Sequence, residues 1–79
     1  MKITILGAGA FGTAIAHVCS HVQNASVCLW ARNEEVVNSI NFNGINSKTF
    51  SNYKFKPNVF ATNNMENALN KAEFVHFYL

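Results

Sequence analysis

Short apolar runs alternate with helical patterns along the chain, which predicts a single α/β unit. The predicted strands are residues 2–6, 26–30, 59–62 and 74–79. Helices are predicted at residues 11–23, from an Asn33 cap to near Asn41, and from an Asn63 or Asn64 cap to Lys71. This β-α-β-α-β-α-β order predicts a partial Rossmann-type doubly wound sheet, with parallel strands in the order 3-2-1-4.

The first helix has an apolar stripe that we expect to face the sheet. Its members are spaced three and four residues apart: Phe11, Ile15, Val18, Cys19 and Val22. The other face carries His17, Ser20 and His21. The apolar face of the third helix is expected to be Met65, Ala68, Leu69 and Ala72. Residues 42–57 have no clean period and predict a long loop, which in a compact domain is more often functional than accidental.

A glycine-rich turn joins the first strand to the first helix. Gly7, Gly9 and Gly12 form a G-x-G-x-x-G pattern in the strand-to-helix context that gives the motif meaning. Gly7 allows a tight turn, Gly9 allows a pyrophosphate to approach the backbone, and Gly12 allows the helix to lie close to the strand. A merely structural turn is the alternative. The predicted cofactor-binding residues of this turn are Gly7, Ala8, Gly9, Ala10, Phe11 and Gly12.

Arg32 follows the second strand, twenty residues after Gly12, where dinucleotide folds usually carry an acid that binds the ribose hydroxyls. An arginine accepts no hydrogen bond, but it can clamp a 2′-phosphate or stack on adenine. Arg32 therefore favours NADP, or tolerance of both NADP and NAD. The alternative is a solvated surface arginine.

Charge, cysteine content and the length of the apolar stretches exclude several classes of protein. The net charge of +2, from six scattered basic residues, gives no reason to expect nucleic acid as a partner. Cys19 and Cys28 form no C-x-x-C pair, so reduced thiols in a cytoplasmic protein are expected. No apolar stretch is long enough to span a membrane, and the first apolar run is too short for a secretory signal. The frequent asparagines are interpreted as compositional drift without a function.

No catalytic or metal-binding group is predicted. His17 and His21 have a spacing that could bind a metal, but a third ligand is missing, so two surface histidines are expected. His76 could relay protons, but an incidental strand histidine is the better interpretation. The carboxylates are explained as charges of helical turns, and no lysine has an evident activating partner.

Three segments together resemble a known family. Residues 1–14 (MKITILGAGAFGTA), residues 27–32 (VCLWAR) and residues 57–62 (PNVFAT) resemble the N-terminal part of bacterial NAD(P)-dependent glycerol-3-phosphate dehydrogenases. The likeness covers essentially the whole chain. One departure is that the family's Tyr-Leu-Pro is Thr49-Phe50-Ser51 here.

The resemblance implies an enzyme that interconverts sn-glycerol 3-phosphate and dihydroxyacetone phosphate for phospholipid synthesis. It also implies that residues 1–79 are a truncated N-terminal part of the NAD(P)-binding domain. The substrate domain and its catalytic lysine are expected beyond residue 79, so the chain alone is expected to be inactive. Self-association through the last strand is expected. The alternatives are a nucleotide-sensing regulatory module and another short reductase, such as a ketopantoate reductase.

Overall fold

The computed structural model describes residues 1–77, which form one parallel sheet with helices on both faces. The strands are β1 (Lys2–Leu6), β2 (Ser26–Trp30), β3 (Val59–Thr62) and β4 (Phe74–Phe77). The helices are α1 (Ala10–Cys19), α2 (Glu34–Asn38) and α3 (Met65–Leu69). The last two residues of the strand predicted at 74–79 lie outside the described residues.

The strand order is β3-β2-β1-β4, and every neighbouring pair is parallel, as predicted. Ile5 of β1 lies opposite Leu29 of β2 and His76 of β4. The central position of β1 and β2 explains why their residues are largely buried while those of β4 are exposed. The carboxyl ends of all four strands meet at one edge of the sheet, which is where doubly wound folds bind ligands.

Two apolar clusters cover opposite faces of the sheet because successive strand residues point to opposite sides. On one face, Ile5, Val27 and Leu29 pack with buried residues of α1 and α2. On the other face, Leu6 and Cys28 pack with Ala68 of α3. No helix in the described part of the chain is long and apolar enough to cross a membrane.

The buried face predicted for α1 was right only in part, since Ile15 and Cys19 pack against the core cluster but the other members do not. Phe11 and Val18 are 78% and 67% exposed, and Val22 is also exposed. The side turned toward the sheet is built from the small residues Gly12, Thr13, Ala16 and Ser20, which are buried. Small side chains allow the helix axis to approach the strands closely, so the size of the side chains, as well as the spacing of apolar residues, decides which side of α1 is buried. The helix also ends at Cys19, earlier than predicted, and the chain turns through Asn24 at a positive φ of 64°.

His17 is not the surface histidine that the sequence indicated. Its ring stacks on Phe55 with ring centroids 4.1 Å apart and an interplanar angle of 14°. Its Nε2 atom is buried without a hydrogen-bond partner among the described residues. This burial, with a smaller contribution from the nearby His21, lowers the pKa of His17 below its ordinary value. His21 is exposed, as expected.

The second helical segment is longer than predicted. α2 begins at its Asn33 cap, whose side chain accepts a hydrogen bond from the Glu35 amide at 2.8 Å. It then continues as a π-helical turn, Ser39–Asn43, and ends at Gly44, which has a left-handed φ of 72°. The irregular segment therefore begins at residue 44 rather than 42, and it buries Asn46 and Phe55.

The third helix is shorter than predicted. Asn64 caps it by accepting a hydrogen bond from the Asn67 amide at 2.9 Å. Ala68 is the only residue of α3 that is buried, whereas Met65 and Leu69 of the predicted apolar face are exposed. The chain leaves the helix at Asn70 and passes through Lys71 at a positive φ of 59°, which ends the helical pattern.

Several asparagines are structural, so interpreting them as compositional drift was wrong. The side chain of Asn41 donates to the Ala61 carbonyl at 2.9 Å and accepts from the Ala61 amide at 2.8 Å. The Asn41 side chain thus pairs with the outer edge of β3 at Ala61, as the backbone of a neighbouring strand would. Asn58 donates to the carbonyls of Ser20 and Ala25, each at 2.9 Å, and ties the start of β3 to the α1–β2 connection.

We expect Asn41→Ala to lower the free energy of unfolding by about 1 to 2 kcal/mol, because each of its two hydrogen bonds contributes about 1 kcal/mol. Urea denaturation followed by circular dichroism measures the change. Asn38→Ala is the matched control, since Asn38 is an exposed asparagine of α2 whose side chain makes no hydrogen bond within residues 1–77. Equal destabilisation by both variants would contradict a role for Asn41 at the β3 edge.

Candidate functional site

The turn between β1 and α1 needs a glycine at its first position. Gly7 has a φ of 125°, in the region that side chains other than glycine rarely adopt. Its amide donates to the Trp30 carbonyl at 3.0 Å, which continues the β1–β2 pairing by one residue before the chain turns away. The geometry at Gly7 therefore agrees with the tight turn expected from the motif.

Gly9 lies at the start of α1 and leaves an open surface. It is the N-cap residue of the helix, in an extended conformation with φ −77° and ψ −164°. A Cβ atom placed on Gly9 would meet no heavy atom within 4 Å. The protein's own packing does not require a glycine here, so the exposed backbone is available to a group that approaches from outside.

The first turn of α1 presents unused amide donors. The first intrahelical hydrogen bond runs from the Thr13 amide to the Gly9 carbonyl at 2.9 Å. The amides of Ala10, Phe11 and Gly12 precede that bond, the helix has no side-chain cap, and its first turn contains no acid. These amides and the positive end of the helix dipole suit an anion such as a phosphate.

A fully buried asparagine from the irregular segment supports this turn. The Asn46 side chain donates to the Ala8 carbonyl and to Thr13 Oγ1, both at 3.0 Å. Its own Oδ1 accepts from the Lys48 amide at 3.0 Å. Thr13 Oγ1 in turn donates to the Ala8 carbonyl at 3.2 Å. Sequence reasoning missed Asn46, because the segment has no period and an asparagine carries no distinctive motif.

Arg32 lies at the same edge of the sheet as the glycine turn. It follows β2 by two residues, and β2 pairs with β1, so both chain segments emerge side by side. Its side chain is exposed and makes no hydrogen bond or ion pair with any residue that the structure describes. Because no described residue neutralises it, the guanidinium charge is available to an anion that approaches from outside.

Neither cysteine of the chain is an activated nucleophile. Burial raises the pKa of both Cys28 and Cys19 above the ordinary value, so neither thiol is activated as a thiolate. Within residues 1–77, no cluster of three or more His, Cys, Asp or Glu side chains could hold a metal ion. A surface groove of about 600 Å³ runs along α2 between Glu34 and Ser47 and does not include the glycine turn.

Comparisons with known proteins show which family the chain resembles. The model of the family described as "NAD-dependent glycerol-3-phosphate dehydrogenase N-terminus" matches residues 2–79. The chain belongs to this family. A Clostridium perfringens protein named glycerol-3-phosphate dehydrogenase [NAD(P)+] is 39% identical over 74 residues, and its namesake from Ehrlichia ruminantium is 44% identical over 69. These alignments cover 94% and 87% of this chain.

Solved structures of glycerol-3-phosphate dehydrogenases have the same fold. That of Coxiella burnetii matches with a TM-score of 0.86 and 29% identity over 96% of this chain. That of Plasmodium falciparum matches with a TM-score of 0.85 and 27% identity over 98%. The match covers 23% and 24% of those two chains. This chain likewise spans about a fifth of the curated relatives' length, 22% and 21% for the two bacterial proteins above.

Proposed function

We propose that residues 1–79 form the N-terminal part of a dinucleotide-binding domain that holds NADP or NAD at the carboxyl edge of the sheet. The proposal rests on one observation: at the start of α1, backbone amides without a side-chain cap lie next to the open surface at Gly9. Membership of the glycerol-3-phosphate dehydrogenase family supports it. The family membership also favours this function over a nucleotide sensor or a ketopantoate reductase.

Each residue of the turn has a distinct part in the proposed site. Gly7 reverses the chain, and Ala8 fixes the turn to the core through its carbonyl. Gly9 allows the pyrophosphate to approach the backbone without a side chain in the way. The amides of Ala10, Phe11 and Gly12 donate to the phosphate oxygens.

Arg32 is proposed to meet the adenosine end of the cofactor. The guanidinium group is positively charged and planar, so it can bind a 2′-phosphate with two hydrogen bonds or stack on the adenine ring. The absence of an intramolecular partner within the described chain supports this assignment. It favours NADP, and it does not prevent binding of NAD.

The proposed activity of the whole protein is the interconversion of sn-glycerol 3-phosphate and dihydroxyacetone phosphate. A dinucleotide bound here would supply hydride-transfer chemistry through its nicotinamide, and the residues of the glycine turn with Arg32 would bind and orient it. The small phosphorylated substrate and the catalytic lysine are assigned to a substrate domain outside residues 1–79. The chain of 79 residues is therefore expected to show no turnover. The free thiols of Cys19 and Cys28 suit a reducing compartment and support a cytoplasmic location.

We expect Gly9→Val to abolish detectable binding of NADPH and NADH, because its branched side chain fills the space that the pyrophosphate needs. The variant should still fold, since a Cβ at this position meets no atom within 4 Å, and the expected cost is about 1 kcal/mol for replacing a glycine N-cap by valine. Calorimetric titration measures binding, and urea denaturation measures stability. A stably folded Gly9→Val chain with unchanged affinity would contradict a pyrophosphate site above Gly9.

We expect Arg32→Asp to weaken NADPH binding about tenfold more than NADH binding, because a carboxylate repels the 2′-phosphate and accepts hydrogen bonds from the ribose hydroxyls. Lys56→Asp is the matched control: it makes the same charge change at an exposed residue before β3, toward the amino edge of the sheet. An unchanged ratio of the two dissociation constants in Arg32→Asp would show that Arg32 is only a surface residue.

We propose that the 79-residue chain associates through β4. This strand pairs with β1 at one side and lies at the end of the sheet. Phe74, Val75 and Phe77 are exposed, and none of the residues 74–77 is charged or a proline, so nothing in the strand discourages edge pairing.

We expect sedimentation velocity to show concentration-dependent oligomers of the 79-residue chain, and Phe77→Lys to shift them toward the monomer because a charge opposes edge pairing. Phe42→Lys is the control, since Phe42 is 82% exposed but lies in the turn after α2. A chain that stays monomeric at high concentration would contradict association, and an equal effect of both variants would contradict β4 as the surface.

A further inference from the structure

We infer that Asn46 is a positioning residue for the cofactor, because it sets the direction in which the glycine turn presents its backbone amides. The inference rests on the proposed dinucleotide site. It starts from the Ala8 carbonyl, which receives hydrogen bonds from Asn46 Nδ2 at 3.0 Å and Thr13 Oγ1 at 3.2 Å. Two donors from different parts of the chain hold this one carbonyl toward the protein interior.

The orientation of the Ala8 carbonyl fixes the next amide. A trans peptide is planar, so the C=O of Ala8 and the N–H of Gly9 point in opposite directions. Because the carbonyl is held inward, the Gly9 amide points the other way, away from Asn46 and Thr13. The Gly9 amide donates no hydrogen bond to another described residue, and it therefore extends the row of donors at Ala10, Phe11 and Gly12.

The support is rigid because its polar groups are satisfied in the interior. Asn46 is fully buried, and so is Thr13. Both amide hydrogens of Asn46 have acceptors, and its Oδ1 accepts from the Lys48 amide. Buried polar networks with every member paired favour a single geometry, because any alternative leaves a buried group without a partner. The irregular segment after α2 thus fixes the glycine turn through Asn46, and Asn46 itself is not one of the proposed phosphate ligands.

The distinguishing experiment compares Asn46→Ala with Asn41→Ala in the 79-residue chain. Both variants remove an asparagine that bridges backbone groups, but Asn41 bonds to Ala61 of β3, a strand that β2 separates from β1 and its glycine turn. Calorimetric titrations with NADPH and with NADH are made under conditions where both variants are folded. We expect Asn46→Ala to raise both dissociation constants about tenfold, since the donors are no longer preorganised, and Asn41→Ala to leave them within about twofold of the original chain.

Thr13 provides a second pair of variants should Asn46→Ala fail to fold. Thr13→Val keeps the shape of the side chain but removes the hydroxyl that bonds to Ala8 and Asn46. It should weaken binding of both dinucleotides, whereas Thr13→Ser, which keeps the hydroxyl, should bind like the original chain. The amide resonance of Gly9 in the unliganded chain should move in Asn46→Ala and Thr13→Val and stay in place in Asn41→Ala.

The outcomes separate the positioning role from the proposed site itself. If the original chain binds a dinucleotide and Asn46→Ala binds it equally well with an unmoved Gly9 resonance, the positioning role is wrong and the site stands. If Asn46→Ala and Asn41→Ala weaken binding equally, Asn46 acts only through general stability, and the positioning role is again wrong. If the original chain binds neither dinucleotide, the proposed site fails and the positioning role fails with it.

Discussion

The conformation of Gly7 is the constraint on which the site depends. The chain leaves a central strand at Leu6 and begins a helix at Ala10, so it must reverse within three residues. The positive φ of Gly7 makes that reversal, and the hydrogen bond from its amide to Trp30 holds the turn against the end of β2. Because β1 lies between β2 and β4, the uncapped start of α1 emerges at the middle of the sheet edge. The fold thereby places a row of amide donors where an anionic ligand can reach them.

The strands and their order could be predicted from the sequence, whereas the helix packing could not. Strand positions follow from apolar runs between turn signals, and a parallel sheet in the order 3-2-1-4 follows from their alternation with helices. The buried side of α1 was predicted only in part, because the helix is apolar on more than one side. Close packing selected the small residues Thr13 and Ala16, and it left Phe11 and Val18 exposed. The spacing of apolar residues alone does not show which of two apolar sides of a helix packs against the sheet.

The candidate site was predicted only in part, for a similar reason. The glycines could be recognised by their spacing. Gly7 has the backbone conformation that the motif requires, and Gly9 has the open surface. The position of Arg32 at the carboxyl edge of the sheet could be predicted from its distance along the chain from the glycine motif. Asn46 could not, because its contacts with Ala8 join residues far apart in sequence through a segment without secondary structure. In this chain asparagine side chains form hydrogen bonds with backbone groups, as another backbone segment would. Such contacts leave no periodic pattern in the sequence from which they could be predicted.

Binding of a dinucleotide's pyrophosphate at the start of α1 is the proposal on which the candidate site depends. The most direct measurement is a titration of the ¹⁵N-labelled chain with NADPH and NADH, followed through the backbone amide resonances. A pyrophosphate site at the start of α1 predicts the largest shifts at Gly9, Ala10, Phe11 and Gly12, with a further shift near Arg32 that is larger for NADPH. Saturable shifts confined to the groove along α2, or no shifts at millimolar dinucleotide, would contradict it.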